Sequence, residues 1–512
     1  MDHVNLVEIT TKRIISYYIG VIILGFSGLV ILPLGVALLF GEWNVVLDFS
    51  ITLSVALISG ILAINYGVVT RHHRDRVLWR HGLIVASGSW IVLTVLAAIP
   101  YTLSGQSLSF LDALFDVMSG FTTTGVYLLQ DLDHVSQGLN FWRHLLTFVG
   151  GQGMVVLAVS FLVKELGGAY KFYVGEGKDI ALVPNVKGTT RIIWRISLVY
   201  LAIGTLTLML AGLASGLNPI NAFFHGLYIF EAAWSTGGFA PTQMNVMFYH
   251  SFGFEIIGLV LFILGSFNFG LHYAILSGHR KEFFKNIESV SFMITATLAS
   301  AIAVVALQSS GIYTSATTLF RRVVYNVLSA HTTTGFQTVA NRQYALEWGG
   351  LGVTVLTIVM LIGGSACSTA GGIKGLRIGI LVKGILADIR RMISSEKRIK
   401  VEKYHHIKDM VLDDATFRNA AVITLLYIVM YALGVLLTTA VGYSLTDASF
   451  EMASITGNVG MSIGVTQASM SDILKIYYIL AMYLGRLEFL SIFALIGVMI
   501  QGGQKWVKQW FA

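Results

Sequence analysis

The sequence predicts an all-α integral membrane protein, with two extra N-terminal helices ahead of four helix–pore-half-helix–filter-loop–helix repeats in pseudo-fourfold arrangement around one pore. Three observations carry that prediction. Of 512 residues, 12% are charged and 55% apolar, at a mean hydropathy of +0.74, whereas ordinary soluble domains carry about 25% charge. Uncharged runs of membrane-spanning length recur along the chain. Four short segments also repeat one design, an apolar stretch, then a small polar or hydroxyl cluster, then a glycine: TTTGV (122–126), STGGF (235–239), TTTGF (332–336) and GNVGM (457–461).

The long apolar runs lie at 14–40, 49–70, 82–111, 196–230, 256–278, 289–320, 348–373 and 419–446. Each is long enough to cross a hydrocarbon core of ~30 Å, which needs ~20 helical residues. Two weaker candidates, 144–163 and 474–500, bring the expectation to ten spans; Arg486 and Glu488 interrupt the second. The first run is followed by Glu42-Trp43 rather than a small-residue cleavage site and reads as a retained helix. After the spans at 82–104, 192–215, 287–309 and 417–442 come shorter apolar pieces at 109–121, 219–234, 316–331 and 446–456. These are too short to cross and read as re-entrant half-helices. Irregular backbone survives at membrane depth only where it lines water or packs in protein, so the loops after them face a cavity. The glycines Gly125, Gly238, Gly335 and Gly460 are unevenly spaced, as expected of old internal repeats whose connections have drifted. The resulting division is a two-helix membrane domain over 1–80 and pore repeats over 81–190, 191–286, 287–410 and 411–512.

Basic residues set the orientation. All Lys and Arg except Arg143, Arg321, Arg322, Arg342, Lys475 and Arg486 fall at 12–13, 71–81, 164–195, 280–285, 374–418 and 505–508. By the positive-inside rule these segments, with both termini, are cytoplasmic, and the four loops open toward the opposite face. The net charge of +7 is thus a topological signal, with contact to anionic membrane lipid, and implies no nucleic-acid partner.

The four loops point to ion conduction. The carboxyl end of a helix carries about half a negative charge. Four such ends on one axis favour a cation without a formal charge in the pore, and a ring of backbone carbonyls can replace its hydration shell. The candidate ion-binding residues are Thr122, Thr123, Thr124 and Gly125; Ser235, Thr236, Gly237 and Gly238; Thr332, Thr333, Thr334 and Gly335; and Gly457, Asn458, Val459 and Gly460. Hydroxyl oxygens add ligands in the first three loops, and glycine permits the positive φ that turns a carbonyl inward. The fourth loop, with Asn458 and Val459, is expected to act through its backbone.

These loops, with GGQGMVVLAVSFL (150–162), FNFGLHY (267–273), GGSACSTAGGIKGLR (363–377) and GRLEF (485–489), resemble the Trk/Ktr/HKT superfamily of potassium transporters, and most the bacterial TrkH branch. The similarity covers nearly the whole chain. It implies potassium uptake through a pseudo-tetrameric channel fold, K⁺ as permeant ion with no bound organic cofactor, a bacterial inner-membrane location, a homodimer, and cytoplasmic nucleotide-binding partners of the TrkA type. In sodium-preferring HKT members a serine stands at the first filter glycine, so the resemblance at Gly125 implies potassium preference.

The segment Gly363, Gly364, Ser365, Ala366, Cys367, Ser368, Thr369, Ala370, Gly371 and Gly372 interrupts an apolar run. Glycine costs a helix up to ~1 kcal/mol relative to alanine. Small residues can instead serve close helix packing, but here they are contiguous rather than on one face. The expectation is a loop at membrane depth that obstructs the pore and gates it, a role the resemblance also implies. Lys374 either anchors this loop or marks the membrane interface, with the interface favoured. Arg486 lies ~18 Å into the final span, too deep to face lipid. It is expected to face the cavity and hold the gating loop, or else to be tied structurally to carbonyls, with Glu488 bonded elsewhere. Asp112, Asp116, Glu231, Asp447 and Glu451 serve either capping and packing or attraction of cations. His331 is expected to pack behind the third loop.

Enzyme classes find no support. The thirteen histidines have no metal-ligand spacing, and the one cysteine, Cys367, allows neither an internal disulfide nor a cysteine zinc site. GEG at 175–177 lacks the strand of a dinucleotide fingerprint. A proton- or sodium-coupled symporter is the alternative function, with Arg486 and Glu488 as relay, although fourfold loops do not suit a twofold inverted repeat.

Overall fold

The computed structural model describes residues 2–68, 79–106, 109–153, 186–393, 401–489, 491–497 and 500. The basic residues at 71–78, the segment 154–185 with GEG, and Lys505 and Lys508 lie outside these residues.

Among the described residues, six helices are long and apolar enough to cross a membrane: Thr11–Leu39, Trp43–Tyr66, His81–Leu103, Gly188–Ala214, Ile287–Ser309 and Asp414–Ala440. They are the two leading helices and the first helix of each repeat. The leading pair packs on repeat one, where Phe26 and Phe49 close on the Trp142 ring at 5.5 and 5.8 Å.

The four half-helices form where the sequence places them: Phe110–Phe121, Pro219–Trp234, the run from Ala316 to His331, and Leu445–Gly457. Each starts at a side-chain cap. Ser109, Asn218, Ser315 and Ser444 accept from the backbone N–H of Asp112, Asn221, Thr318 and Asp447, satisfying a donor that would otherwise be orphaned. The third half-helix carries a π-turn over Phe320–Val324. The turn brings Arg321 to Glu255 in a bidentate pair at 2.8 and 2.7 Å, and the Thr338 hydroxyl covers the Arg321 carbonyl at 2.6 Å. Bulges of this kind cost helix geometry and persist where a side chain is re-aimed.

The second helix of each repeat departs from the expected straight span. In repeat one, Gln137–Gln152 ends at Gly153 with φ 98°. In repeat two, Phe252–Ser266 and Phe269–Leu276 meet at 102°, with Asn268 capping the second piece through Gly270 N–H at 2.7 Å. In repeat three, Gly349–Ile362 gives way to the glycine–serine segment before Gly375–Ile393. In repeat four, Asp472–Arg486 and Ser491–Gly497 meet at 116°, through left-handed Glu488 and Phe489. The sequence marks the third break by a run of ten contiguous small residues and the first by GGQG at 150–153; the bends in repeats two and four rest on tertiary contacts that outweigh local propensity.

Among the described residues, one element is not helical. Lys403–His406 and Lys408–Val411 form an antiparallel hairpin turning at left-handed Ile407. Buried Tyr404 packs it against Ile287, Ile380 and Ala420. His405 joins Asp409 through Nδ1 at 2.6 Å and Glu282 through Nε2 at 2.9 Å. Donating to the Asp409 carboxylate, with Glu282 adding to it, raises the imidazole above its ordinary value of about 6.5. A raised folded-state value stabilises the attachment fully below about pH 6.5 and loses that contribution as pH climbs through it. Amide protection over 403–411, measured by hydrogen exchange and corrected for intrinsic pH dependence, is therefore expected to fall above about pH 6.5. His405→Gln should abolish that fall; an unchanged profile in the variant would show that His405 does not set it.

Candidate ion pore

All four half-helices end in one backbone motif. The residue after the helix end is left-handed in each: Thr123 (φ 56°), Thr236 (51°), Thr333 (56°) and Asn458 (54°). The next N–H reaches back five residues, Thr124 to Ser119, Gly237 to Ala232, Thr334 to Ser329 and Val459 to Ser454, at 2.8–2.9 Å. This is the Schellman cap, which covers the last helical carbonyls and swings the chain off the helix axis. Glycine is its usual occupant. Threonine holds the position here because its hydroxyl closes on a neighbouring backbone group, Thr123 on the Thr122 carbonyl and Thr236 on the Ser235 carbonyl, both at 2.7 Å, and Thr333 on the Gly371 N–H at 2.9 Å. The sequence pattern did not reveal these strained threonines.

The loops then close into a ring. A Cβ on Gly125 would collide with the Gly237 carbonyl oxygen, on Gly238 with that of Thr334, on Gly335 with that of Val459, and on Gly460 with that of Thr124. Each glycine thus packs on the carbonyl just ahead of the next repeat's glycine, in the cyclic order one, two, three, four. All four have positive φ, from 61° to 95°. No side chain fits at these points.

The hydroxyls mostly brace the loops. Thr122, Ser235 and Thr332 donate to carbonyls four residues back, on Met118, Glu231 and Leu328, at 2.6–2.8 Å. The amide of Asn458 donates to the Thr124 hydroxyl at 2.9 Å and the Met482 carbonyl at 3.0 Å. The sequence reading offers these hydroxyls as ligands; their protons go to the scaffold, and the oxygen lone pairs are what a cation would use.

A mouth of about 860 Å³ lies against the ring, lined by Gly125, Gly238 and Gly460 and the loops that follow. Asp133 and Arg342 are the charged residues in that lining. The acidic candidates sit elsewhere. Asp116 accepts from Leu128 N–H at 2.6 Å, and Glu451 accepts from Ser462, Ile463 and Thr466. In repeat three, Asn326 does the same for Thr338 and Tyr344. These three share one offset from their glycine (116/125, 326/335, 451/460), a regularity the sequence contains but that reading for charge alone passes over. Repeat two has Ile229 there, and Asn245 instead donates to the Gly238 carbonyl at 3.4 Å. Asp447 and Asp112 stand three residues after their caps, and Glu231 is buried. His331 lies behind its loop, bonded to Thr295 at 2.6 Å.

The segment 363–372 lies against the other side of the ring and touches all four loops. The Thr369 hydroxyl reaches the Trp234 and Gly265 carbonyls at 3.0 and 2.9 Å and the Thr236 hydroxyl at 3.2 Å. Its carbonyl faces the Thr123 hydroxyl at 3.5 Å. Gly371 abuts the Gly457 carbonyl so closely that a Cβ there would collide with it. Gly363 and Gly372 pack on one another at the neck of the loop; Gly364, Ser365, Ala366, Cys367, Ser368 and Ala370 complete it, with Ser365 N–H bonded to the Ser266 carbonyl at 3.0 Å. Arg486 joins these parts. It donates to the Thr369 carbonyl at 2.6 Å, the Gly150 and Gly151 carbonyls at 2.8 and 3.1 Å, and the Thr123 hydroxyl at 3.3 Å. Lys374, expected at an interface, is buried and paired to Glu488 at 2.6 Å; Arg377 binds the same carboxylate. A buried Glu488 needs such partners, which is why Lys374 is drawn inward.

The model of the family described as TrkH cation transport protein matches residues 53–508. The chain belongs to the TrkH family of cation transport proteins. It is similar to an uncharacterised cation transporter of Methanocaldococcus jannaschii, 29% identical over 95% of this chain and 96% of that one. It is also similar to the Trk system potassium uptake protein TrkH of Halomonas elongata, at 28% identity over 94% and 98% of the two chains. The crystal structure of the potassium transporter TrkH from Vibrio parahaemolyticus superposes with a TM-score of 0.79, at 25% identity over 94% of this chain and 98% of that one. Membership in a cation transport family disposes of the enzyme classes, as the sequence reading expects.

TrkH family membership leaves the scaffold's own ion pairs to be understood from this chain. Lys475, at the start of the final helix, meets Asp112 of the first half-helix at 2.7 Å with both side chains under one-tenth exposed. Lys475 also meets the largely exposed Asp472, at 3.4 Å, so losing Asp112 leaves it one weaker partner; breaking a buried pair outright costs about 3 kcal/mol or more. Asp112→Asn should therefore lower the melting temperature in detergent, and adding Lys475→Met should recover most of the loss. Equal melting of wild type and Asp112→Asn would mean the pair contributes nothing.

Proposed function

We propose that this chain mediates potassium uptake across the cell membrane through a channel-like pore whose selectivity filter is the ring at Gly125, Gly238, Gly335 and Gly460. The observation that carries the reading is the closed cycle of glycine-on-carbonyl contacts, at the carboxyl ends of four half-helices whose dipoles favour a cation. A nearly uncharged mouth supports carbonyl dipoles, rather than a carboxylate ring, as the source of cation preference. The names of the Trk potassium uptake relatives agree.

Segment 363–372 is the gate in this reading, and Arg486 its clamp. Its contact with all four loops supports obstruction of the path, and one arginine spanning Thr369, Thr123 and Gly150 supports a closed state that needs displacement to conduct. The segments with the basic clusters face the cytoplasm, where TrkA-type nucleotide-binding subunits dock on a homodimer of this chain. Relatives named as members of a Trk system support that assembly.

Reversal potentials of the purified protein in a planar bilayer, with unequal K⁺, equal Na⁺ and equal pH, test the function. A value near the K⁺ equilibrium potential is expected; a value near zero refutes selective potassium passage, and dependence on an imposed pH or Na⁺ gradient establishes the coupled symporter instead. Gly125→Ser puts a side chain against the Gly237 carbonyl and should lower the K⁺/Na⁺ permeability ratio, whereas an unchanged ratio would remove Gly125 from the filter. Deleting 365–370 should raise current without altering ion preference, and no increase would withdraw the gate.

A further inference from the structure

The hairpin Lys403–Val411 and segment 363–372 are joined through one carboxylate. Glu288 stands in the first turn of Ile287–Ser309, capped by Asn286 and 2% exposed. Its Oε1 accepts from the backbone N–H of Ala366, inside segment 363–372. Its Oε2 meets Nε2 of His406 on the hairpin at 3.0 Å and accepts from the Asn268 amide at 3.3 Å. Asn268 caps the helix at the repeat-two break, and that break also holds the segment, through the Ser266 carbonyl to Ser365 N–H and Phe269 N–H to the Cys367 carbonyl. A cavity of about 10 Å³ bounded by Glu288, Thr295, His331, Gly363, Gly364 and Ser365 lies between Glu288 and the base of the third loop. The segment's first half is therefore held by hydrogen bonds at discrete points.

We propose that Glu288 is a positioning residue that latches segment 363–372 under the ring, and that the hairpin controls the latch through His406. The proposal rests on the reading of 363–372 as the gate. A buried carboxylate needs its hydrogen-bond partners, so the His406 and Ala366 bonds support one another. Pulling the hairpin away removes His406 and opens the Glu288 carboxylate to water, whose hydrogen bonds replace the Ala366 amide and free the segment. Lys408 lies opposite His406 in the hairpin register, and His405 beside it is occupied by Glu282 and Asp409. His406 is thus the hairpin's link to Glu288, and His405 fastens the hairpin to the preceding turn.

Single-channel recording of the full-length protein in potassium solutions tests this. Glu288→Gln and His406→Ala should each raise the open-to-closed ratio at least about fivefold, the lower end of ordinary coupling effects. Single-channel conductance and reversal potential should not move. The double variant should not exceed the larger single effect, since both break one link, and His406→Lys, which restores a donor to Glu288, should return the ratio close to wild type. A wild-type ratio in His406→Ala, or a double variant whose increase is the product of the two singles, overturns the proposal. If Glu288→Gln fails to fold, the His406→Ala and His406→Lys pair, on a hairpin outside the membrane helices, decides alone. Deletion of 365–370 separates the two readings: increased current there with wild-type behaviour in His406→Ala sinks the latch and spares the gate.

Discussion

The centre of the fold depends on four backbone contacts in which a glycine of one repeat packs on a carbonyl of the next. The closeness of that packing dictates what surrounds it. No Cβ can stand at the four glycines, and the chain must leave each half-helix sharply enough to bring its loop to the axis. The Schellman caps achieve this while satisfying helical carbonyls that no water in a bilayer core would reach. Helices behind the ring must then approach closely too. Gly150, Gly265 and Gly485 each lie so near a carbonyl at the end of their own half-helix, at Phe121, Trp234 and Thr456, that a side chain would clash.

Charge follows the same constraint. Ionisable groups at membrane depth are expensive unless paired, and the pairs near the ring are short and multiple. Glu488 takes both Lys374 and Arg377, while Arg486 spreads its donors over the Gly150 and Gly151 carbonyls of repeat one and the Thr369 carbonyl of segment 363–372. Arginine suits that task because its planar fork carries five donors and keeps its charge. A lysine there would present a point charge to the same oxygens and could not span them. Asp116, Asn326 and Glu451 act on the mouth side, where they hold the loops beyond the ring by accepting from backbone and hydroxyl groups.

The architecture was legible in the sequence wherever a local signal carried it. The half-helices could be read because each is an apolar piece too short to span, and the ring glycines because they recur after small polar or hydroxyl clusters. The break at 363–372 announced itself by contiguous small residues. The bends at Phe267 and Leu487 did not, since neither is a glycine or proline and the turns are held by distant partners. Left-handed threonines escaped for a related reason: threonine disfavours that conformation, and only the finished loop shows the hydroxyl bonds that hold it. Lys374 was read as an interface residue because one sequence cannot show that Glu488 lies opposite. The hairpin at 403–411, in a segment rich in charge, offered no pattern strong enough to predict.

Carrying four repeats on one chain permits differences that four identical subunits could not have. The ring is close to fourfold in its backbone, with matching caps and matching glycine contacts. Its supports are not. Among the described residues, only repeat three inserts a loop that reaches every other repeat, and only repeat four supplies an arginine to hold it. Four copies of such a loop would compete for one axis, and four arginines would place four positive charges at the place where one is matched by carbonyls. The departures of Asn458 and Val459 from the hydroxyl pattern belong to this asymmetry. Asn458 uses its amide to tie repeat four to Thr124 and to the Met482 carbonyl, one turn before Arg486. The quarter with the weakest sequence match is thus the one whose side chain joins the ring to the helix that carries the arginine.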